Sequence, residues 1–317
     1  MKVWLIIAGV LVVAGLLLFV GVMSVNGWDF SKISMSRYVE NTYEISGDFE
    51  GININETTAD IEFVLSNDGK SKVVCVESEK MKHTVDVENK ILNIDIDDSR
   101  AWYDYIGINF GSPKTTVYLP EKSYKELCIE VSTGAVVIPD NFVFDNIDIN
   151  GSTGIVSCMA TALNKIDIEL DTGSFKGEKI VAEQVNVSTD TGKVVLREVT
   201  AKDSVNIEVD TGNVELTDVT CGALDVQSDT GKIILKNVIS ETAFSLRAST
   251  GDVIFENSDA AQITVKTRTG SVSGSLLSDK IFDADTSTGD IRVPQGKGDQ
   301  ICKITTSTGD IDIRIEQ

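Results

Sequence analysis

Residues Ser204–Leu235 read SVNIEVDTGNVELTDVTCGALDVQSDTGKIIL, and they decide the fold because they hold one complete unit and most of its copy. Val205, Ile207 and Val209 alternate with polar residues up to Thr211-Gly212, and Val214 and Leu216 alternate beyond it; Leu224, Val226, Thr230-Gly231, Ile233 and Leu235 repeat the arrangement. Apolar residues at every second position, many of them β-branched, mark strands with one buried face. Outward in both directions Thr-Gly recurs ten times, with glycine at 134, 154, 173, 192, 212, 231, 251, 270, 289 and 309, at intervals of 19 or 20 residues. Such a period belongs to stacked units, none of which buries its apolar face alone.

Aligned on the glycine, four columns are apolar. They run from Leu127 through Val205 to Cys302, from Ile129 through Ile207 to Ile304, and from Val136 through Val214 to Ile311; the fourth includes Leu196, Leu216, Leu235 and Phe255, broken by Gly177 and Gly274. The unit reads as two strands, one turn and one return loop too short for a helix. The predicted fold is therefore all-β, a flattened parallel β-solenoid with 19–20 residues per coil and about ten to eleven coils, preceded by one transmembrane helix. At ~4.8 Å between strands, ten coils make a rod of roughly 50 Å. Two residues before the glycine stand Ser132, Ser152, Asp171, Asp190, Asp210, Asp229, Ser249, Arg268, Ser287 and Ser307. These suit capping of the turn through local backbone N–H groups. The rival reading makes Asp171, Asp190, Asp210 and Asp229 a calcium ladder, since stacked like charges repel unless a cation lies among them. On the second strand the outward residues Val195, Ile234 and Ile254 form a candidate partner-binding stripe.

Residues 1–25 contain the run Val3 to Val25, without a charged group and with Ser24 as its one clearly polar member. At ~1.5 Å per residue it crosses a hydrocarbon core of about 30 Å, so a transmembrane signal-anchor is expected. A cleaved signal peptide has a shorter apolar region and ends in a small-x-small site. Lys2 and the α-amino group favour a cytoplasmic N-terminus and an exported remainder. Residues 26–43 read as a juxtamembrane linker with Trp28 and Phe30 as interfacial anchors. Residues 44–126 read as an N-terminal coil and hairpin cap. There Ile52, Ile54, Ala59, Ile61 and Phe63 reproduce the unit as an outermost coil, with Ala59 in the glycine position. Strand-like stretches from Val73 to Leu119 form hairpins over that end. Trp102, Tyr103, Tyr105 and Phe110 crowd one loop, where they pack on the cap or contact a partner, a sugar or the membrane interface. Residues 127–317 are the solenoid repeats, ending in an open edge at Asp310–Glu316 whose alternating charges oppose further pairing, though oligomerisation through it is open.

The net charge of -21 over 317 residues excludes nucleic acid, whose phosphates need basic patches. Asp148, Asp167, Glu169, Glu208 and Asp225 read as solvated faces. Cys75, Cys128, Cys158, Cys221 and Cys302 are odd in number, and Cys158 and Cys302 fall in inward columns far apart in the stack, as buried free thiols do. His83 is the only histidine and no Cys-x-x-Cys occurs, so neither a zinc site nor a cofactor is expected. Short return loops and the lack of a nucleophile–base pair or phosphate loop make an enzyme unexpected, a polysaccharide-acting β-helix included.

The N-terminal apolar helix, the coil at Gly51-Ile52-Asn53-Ile54, the segment Thr115-Thr116-Val117-Tyr118-Leu119-Pro120 and the serial Ser/Asp-Thr-Gly-x-Val/Ile units resemble the bacterial putative-adhesin family, a domain of unknown function with β-strand repeats. The likeness covers roughly residues 44 to 317. It implies an extracytoplasmic, membrane-anchored solenoid serving the cell envelope as a binding or structural module, with envelope proteins or surface glycans as partners. Some relatives are similar to proteins accompanying envelope-stress systems, so a regulatory accessory is the alternative role. The family carries no agreed ligand or catalytic residues to transfer.

Overall fold

The computed structural model describes residues 2–28, 38–101 and 112–316. Helix α1 (Lys2–Val25) precedes an all-strand body. The N-terminal part comprises β1 (Val39–Glu44), β2 (Gly51–Glu56), β3 (Asp60–Leu65), β4 (Lys72–Glu77), β5 (Met81–Glu88), β6 (Ile91–Asp98) and β7 (Lys114–Leu119). The body is built from β8 (Ser123–Ile138), β9 (Val143–Cys158), β10 (Thr161–Glu178), β11 (Val181–Thr191), β12 (Val194–Thr211), β13 (Val214–Thr230), β14 (Ile233–Thr250) and β15 (Val253–Thr269). It closes with β16 (Val272–Leu276), β17 (Ile281–Thr288), β18 (Ile291–Arg292), β19 (Ile301–Thr308) and β20 (Ile311–Ile315).

The body is a parallel β-solenoid. Val194 pairs with Val214 and Val214 with Ile233, and all three are fully buried in one interior file. The return loop expected in each unit is instead a third short strand run: Val199, Val219 and Val238 pair in register, as do Ala201, Cys221 and Ser240. Each of these six side chains is buried. The alternation is hidden because the sixth residue after the glycine turns the chain in the left-handed region, as at Glu198 (φ 53), Asp218 (φ 54) and Asn237 (φ 51), and resets the phase. Asparagine and aspartate tolerate that region better than other side chains.

At Gly212 the need for glycine is steric as much as conformational. A Cβ there would lie 1.6 Å from the Gly192 carbonyl oxygen, so the coils stack at a distance only a bare backbone permits. Inside the corner, Thr189 and Ser228 hydroxyls donate to the carbonyls of Gly173 and Gly212 in the preceding coils, both at 3.4 Å. The column expected to cap the turn does not: Asp171, Asp190, Asp210 and Asp229 point outward and are exposed. The residue after the glycine caps the stack instead, with Asn213 Oδ1 accepting from Lys232 N–H (2.9 Å) and Asp252 Oδ1 from Ser271 N–H (3.1 Å).

Both ends depart from chain order. The coil at β2 and β3 is not outermost. It lies between β6–β7 on one side, with Ile52 opposite Leu92 and Phe63 opposite Val117, and β8 on the other. The outer coil is then covered by antiparallel β5 on β6 and β4 on β7, with β1 on β4. Antiparallel strands thus cover this end, and β1 takes up residues from Val39 onward of the stretch read as linker. At the far end β19–β20 pair directly with β15–β16, and β17–β18 lie outside them. The edge expected to be open at Asp310–Glu316 is covered only in part: β18 pairs with β20 at Ile311 and Asp312, and among the described residues no strand pairs with Ile313–Ile315 on that side, while residues 281–292 lie outermost. Lys280, fully buried, fixes the crossover by donating to Asp259 Oδ1 (2.7 Å), Ser278 Oγ (2.7 Å) and Gln300 Oε1.

Candidate functional site

With the positions seven and five before the glycine turned inward, those six and four before it must face out. Asp148, Asp167, Asn186, Asn206 and Asp225 stand in one register file, and Asn150, Glu169, Ser188, Glu208 and Gln227 in the next. Together they line a cavity of about 430 Å³. Amides relieve the repulsion between stacked carboxylates: Asn206 Nδ2 donates to Asn186 Oδ1 (2.8 Å) and Asn150 Nδ2 to Asp148 Oδ1 (2.9 Å), while Lys165 pairs with Asp167. In the next two coils the second file turns basic, while the first continues through Ser245 and Thr264. Gln227 registers with Arg247 and Arg247 with Lys266, and these with Arg268 and Asp229 line a second cavity of about 300 Å³. The Arg247–Asp225 pair, 3.1 Å apart, joins the two halves. One face thus presents an acidic, amide-rich run that gives way to a basic one.

A second polar assembly lies inside the cap. Cys75 and Glu77 alternate inward on β4, His83 points in from β5, Glu56 closes β2 and Thr115 comes from β7; all five are buried. His83 lies between two carboxylates, with Nε2 2.7 Å from Glu56 Oε1 and Nδ1 2.6 Å from Glu77 Oε2. Thr115 Oγ1 donates to Glu56 Oε1, and Asn41 Nδ2 and Tyr43 O–H donate to Glu77 Oε1 (2.5 and 2.8 Å). Burial alone would expel charge from His83, yet hydrogen bonds and charge from Cys75 and Glu56 prevail and push its pKa up to about 11. Burial likewise opposes ionisation of Glu77, but hydrogen bonds from Asn41 and His83 outweigh it and hold the carboxyl below its ordinary value. Glu56 Oε2 is buried with no hydrogen-bond partner.

The sequence matches the family described as Toastrack DUF4097 over residues 49–204 and 200–317. The chain belongs to that family. No curated protein matches it. Among solved structures, a "putative lipid binding protein" from Parabacteroides distasonis is similar over 75% of this chain and 97% of its own, at 17% identity and a TM-score of 0.51. A "putative adhesin" from the same species covers 88% and 98% at 12% identity and 0.51, and one from Parabacteroides merdae 87% and 97% at 11% and 0.50. At such identities the likeness establishes the Toastrack fold alone.

The other residues singled out in this Toastrack sequence fall as follows. Val195, Ile234 and Ile254 are half-buried, and their file is interrupted by Glu215, which pairs with Lys193 at 2.7 Å. Trp102, Tyr103, Tyr105 and Phe110 lie outside the described residues, as does Phe30; Trp28 is exposed. Among the described residues, the one group of three or more potential metal donors with ligand atoms within 4.8 Å of one another is Cys75, Glu77 and His83, which the sequence reading did not bring together. Its visible trace is the spacing Cys75-x-Glu77, which strand alternation places on one face. The hairpin that returns His83 to that face carries no such signature.

Proposed function

We propose that this protein is a membrane-tethered, non-catalytic module of the cell envelope, with its N-terminus cytoplasmic and its solenoid extracytoplasmic, that binds hydroxyl- and amine-bearing envelope polymers along the outer face of β9–β15. Val3–Val25 is long and apolar enough to cross a membrane, with a mean hydropathy of 3.0, and Lys2 at its start favours this orientation. The observation that carries the binding reading is the pair of polar files over the 430 Å³ cavity. Carboxylate, amide and hydroxyl groups recur there at the ~4.8 Å strand spacing, a periodic row suited to a repeating polymer. The fold neighbours called adhesins agree with this role.

The test is sedimentation of the detergent-solubilised full chain with purified surface glycans and cell-wall polymers, wild type against the double variant Asp167→Lys/Glu169→Lys. Both positions are on the surface, so the fold should persist. A loss of binding by tenfold or more supports the reading. Unchanged binding refutes it, as does in-cell crosslinking from Asn186 that recovers only neighbouring membrane proteins, the result expected of an envelope-stress regulator.

A further inference from the structure

The buried assembly in the cap is more than a histidine held by two glutamates. An imidazolium explains Glu56 Oε1 and Glu77 Oε2, each within 2.7 Å of a ring nitrogen. It leaves two features over. The Cys75 thiol lies with Glu77 and His83 in a set whose ligand atoms fall within 4.8 Å of one another, and the hydrogen bond it accepts from Thr115 is 3.9 Å long. Glu56 Oε2 is shut off from water with no donor among the described residues, on a residue 1% exposed. A buried carboxylate oxygen without a donor is costly, and among the described residues the one cation hydrogen-bonded to the two carboxylates is the His83 imidazolium.

We propose that the cap is a site for one zinc-class divalent cation, held by Cys75 Sγ, His83 Nδ1 and the Glu77 carboxylate, with Glu56 on the opposite ring nitrogen of His83 as the outer partner. Mixed sulfur, nitrogen and oxygen donors select borderline metals such as zinc over calcium or magnesium, which take oxygen alone. The ion gives the thiol a function and brings positive charge to a cluster with two buried carboxylates, while His83 Nε2 stays bonded to Glu56 Oε1, the carboxylate contact that commonly fixes a metal-bound histidine. Tetrahedral ligands around zinc stand roughly 3.3 Å apart, so entry opens the 2.6 Å His83–Glu77 contact. The proton between those groups and the thiol proton leave as the metal binds, which makes affinity rise with pH. Thr115, Asn41 and Tyr43, already donating to the two carboxylates, then orient the ligands as outer partners do in metal sites. The donors come from β4 and β5, and Glu56 of β2 holds the same histidine from its other nitrogen, so the ion ties the cap hairpins to the β2–β3 coil.

The experiment is metal analysis and cobalt(II) titration of the full chain in detergent, stripped with a strong chelator and then reloaded. The expected result is one cobalt per chain with a thiolate-to-cobalt absorption band, displaced by zinc, and a rise in melting temperature on zinc addition. Cys75→Ser should abolish the charge-transfer band, and His83→Gln should weaken zinc at least tenfold; far-ultraviolet circular dichroism matching that of the stripped wild type shows that each variant has folded. The readout on stripped wild type stands even if a variant fails to fold. No cobalt absorption and no zinc-dependent shift in that protein overturn the proposal and leave an ion-paired histidine. So does a band that survives Cys75→Ser.

Discussion

Replacing Gly212 by alanine tests whether the coils are spaced by bare backbone. The added Cβ would lie 1.6 Å from the Gly192 carbonyl oxygen, where ordinary contact begins at 3.4 Å, and the residue has φ +149. The coils must part locally by nearly 2 Å, against a strand spacing of ~4.8 Å, which breaks or stretches the bonds from Gly192 N–H to Thr211 O (2.9 Å) and from Val194 N–H to Asn213 O (3.0 Å). Two backbone bonds at ~0.5–1.5 kcal/mol each and a disallowed φ at ~1–3 kcal/mol bring the expected loss to about 2–6 kcal/mol. Gly69→Ala is the control: its φ is +72 and a Cβ there meets nothing within 4 Å, so only the conformational part, ~1–2 kcal/mol, should appear. The assay is urea denaturation followed by circular dichroism. Equal losses for the two variants would refute the claim that contact between coils, rather than the turn alone, demands glycine.

Three further outcomes follow from the geometry. Ile263→Cys should form a disulfide with native Cys302 on mild oxidation, because the two are register partners on adjacent strands; stacking in chain order would place them two strands, ~9.6 Å, apart, beyond bridging distance, and peptide mapping decides. Asp259→Ala should lower stability by about 3–5 kcal/mol in denaturant melts by stranding a buried cation, whereas Lys280→Met should be near neutral; equal effects would show that the ion pair does not pin the crossover. Maleimide should label native protein at the half-buried Cys128 before Cys158 or Cys302, both of which burial pushes up to about 12, and rapid native labelling of Cys158 would displace it from the core.

The interior of the solenoid was legible because its cause is local. Val205, Ile207, Val214 and Leu216 repeat at a fixed period, and period-2 burial follows from strand geometry without knowledge of anything distant. The third strand run escaped notice because two inward residues after a left-handed corner, Val219 and Cys221 after Asp218, are too few to show a period. The capping role went to the wrong column because short polar side chains before a turn commonly cap it; here those residues alternate outward, and Asn213 and Asp252 reach the next coil instead. The buried cluster draws on Glu56, Cys75, Glu77, His83 and Thr115, from four strands spread over sixty residues. Only the path of the chain brings them together, and no spacing rule encodes that path.

The inversion of the last two coils has a physical reason visible in their composition. An end coil leaves one flank in water, so the coil with the weaker inward set belongs there. The β19–β20 coil turns in Cys302, Ile304, Ile311 and Ile313, all buried, whereas the β17–β18 coil offers Phe282, Ala284 and Val293, each half-buried, and Ile291, 44% exposed. Stacking in chain order would move Ile304, Ile311 and Ile313 to the wet end, each giving up part of the ~1.5–3 kcal/mol that full burial of an isoleucine contributes. It would gain only better cover for an alanine, a valine, a phenylalanine and Ile291. Against this the crossover buries the Lys280 ammonium, which is tolerable because Asp259, Ser278 and Gln300 between them satisfy it. The charges on the outermost strand, Asp283 and Asp285, then stand where another strand would have to pair, and they deter it.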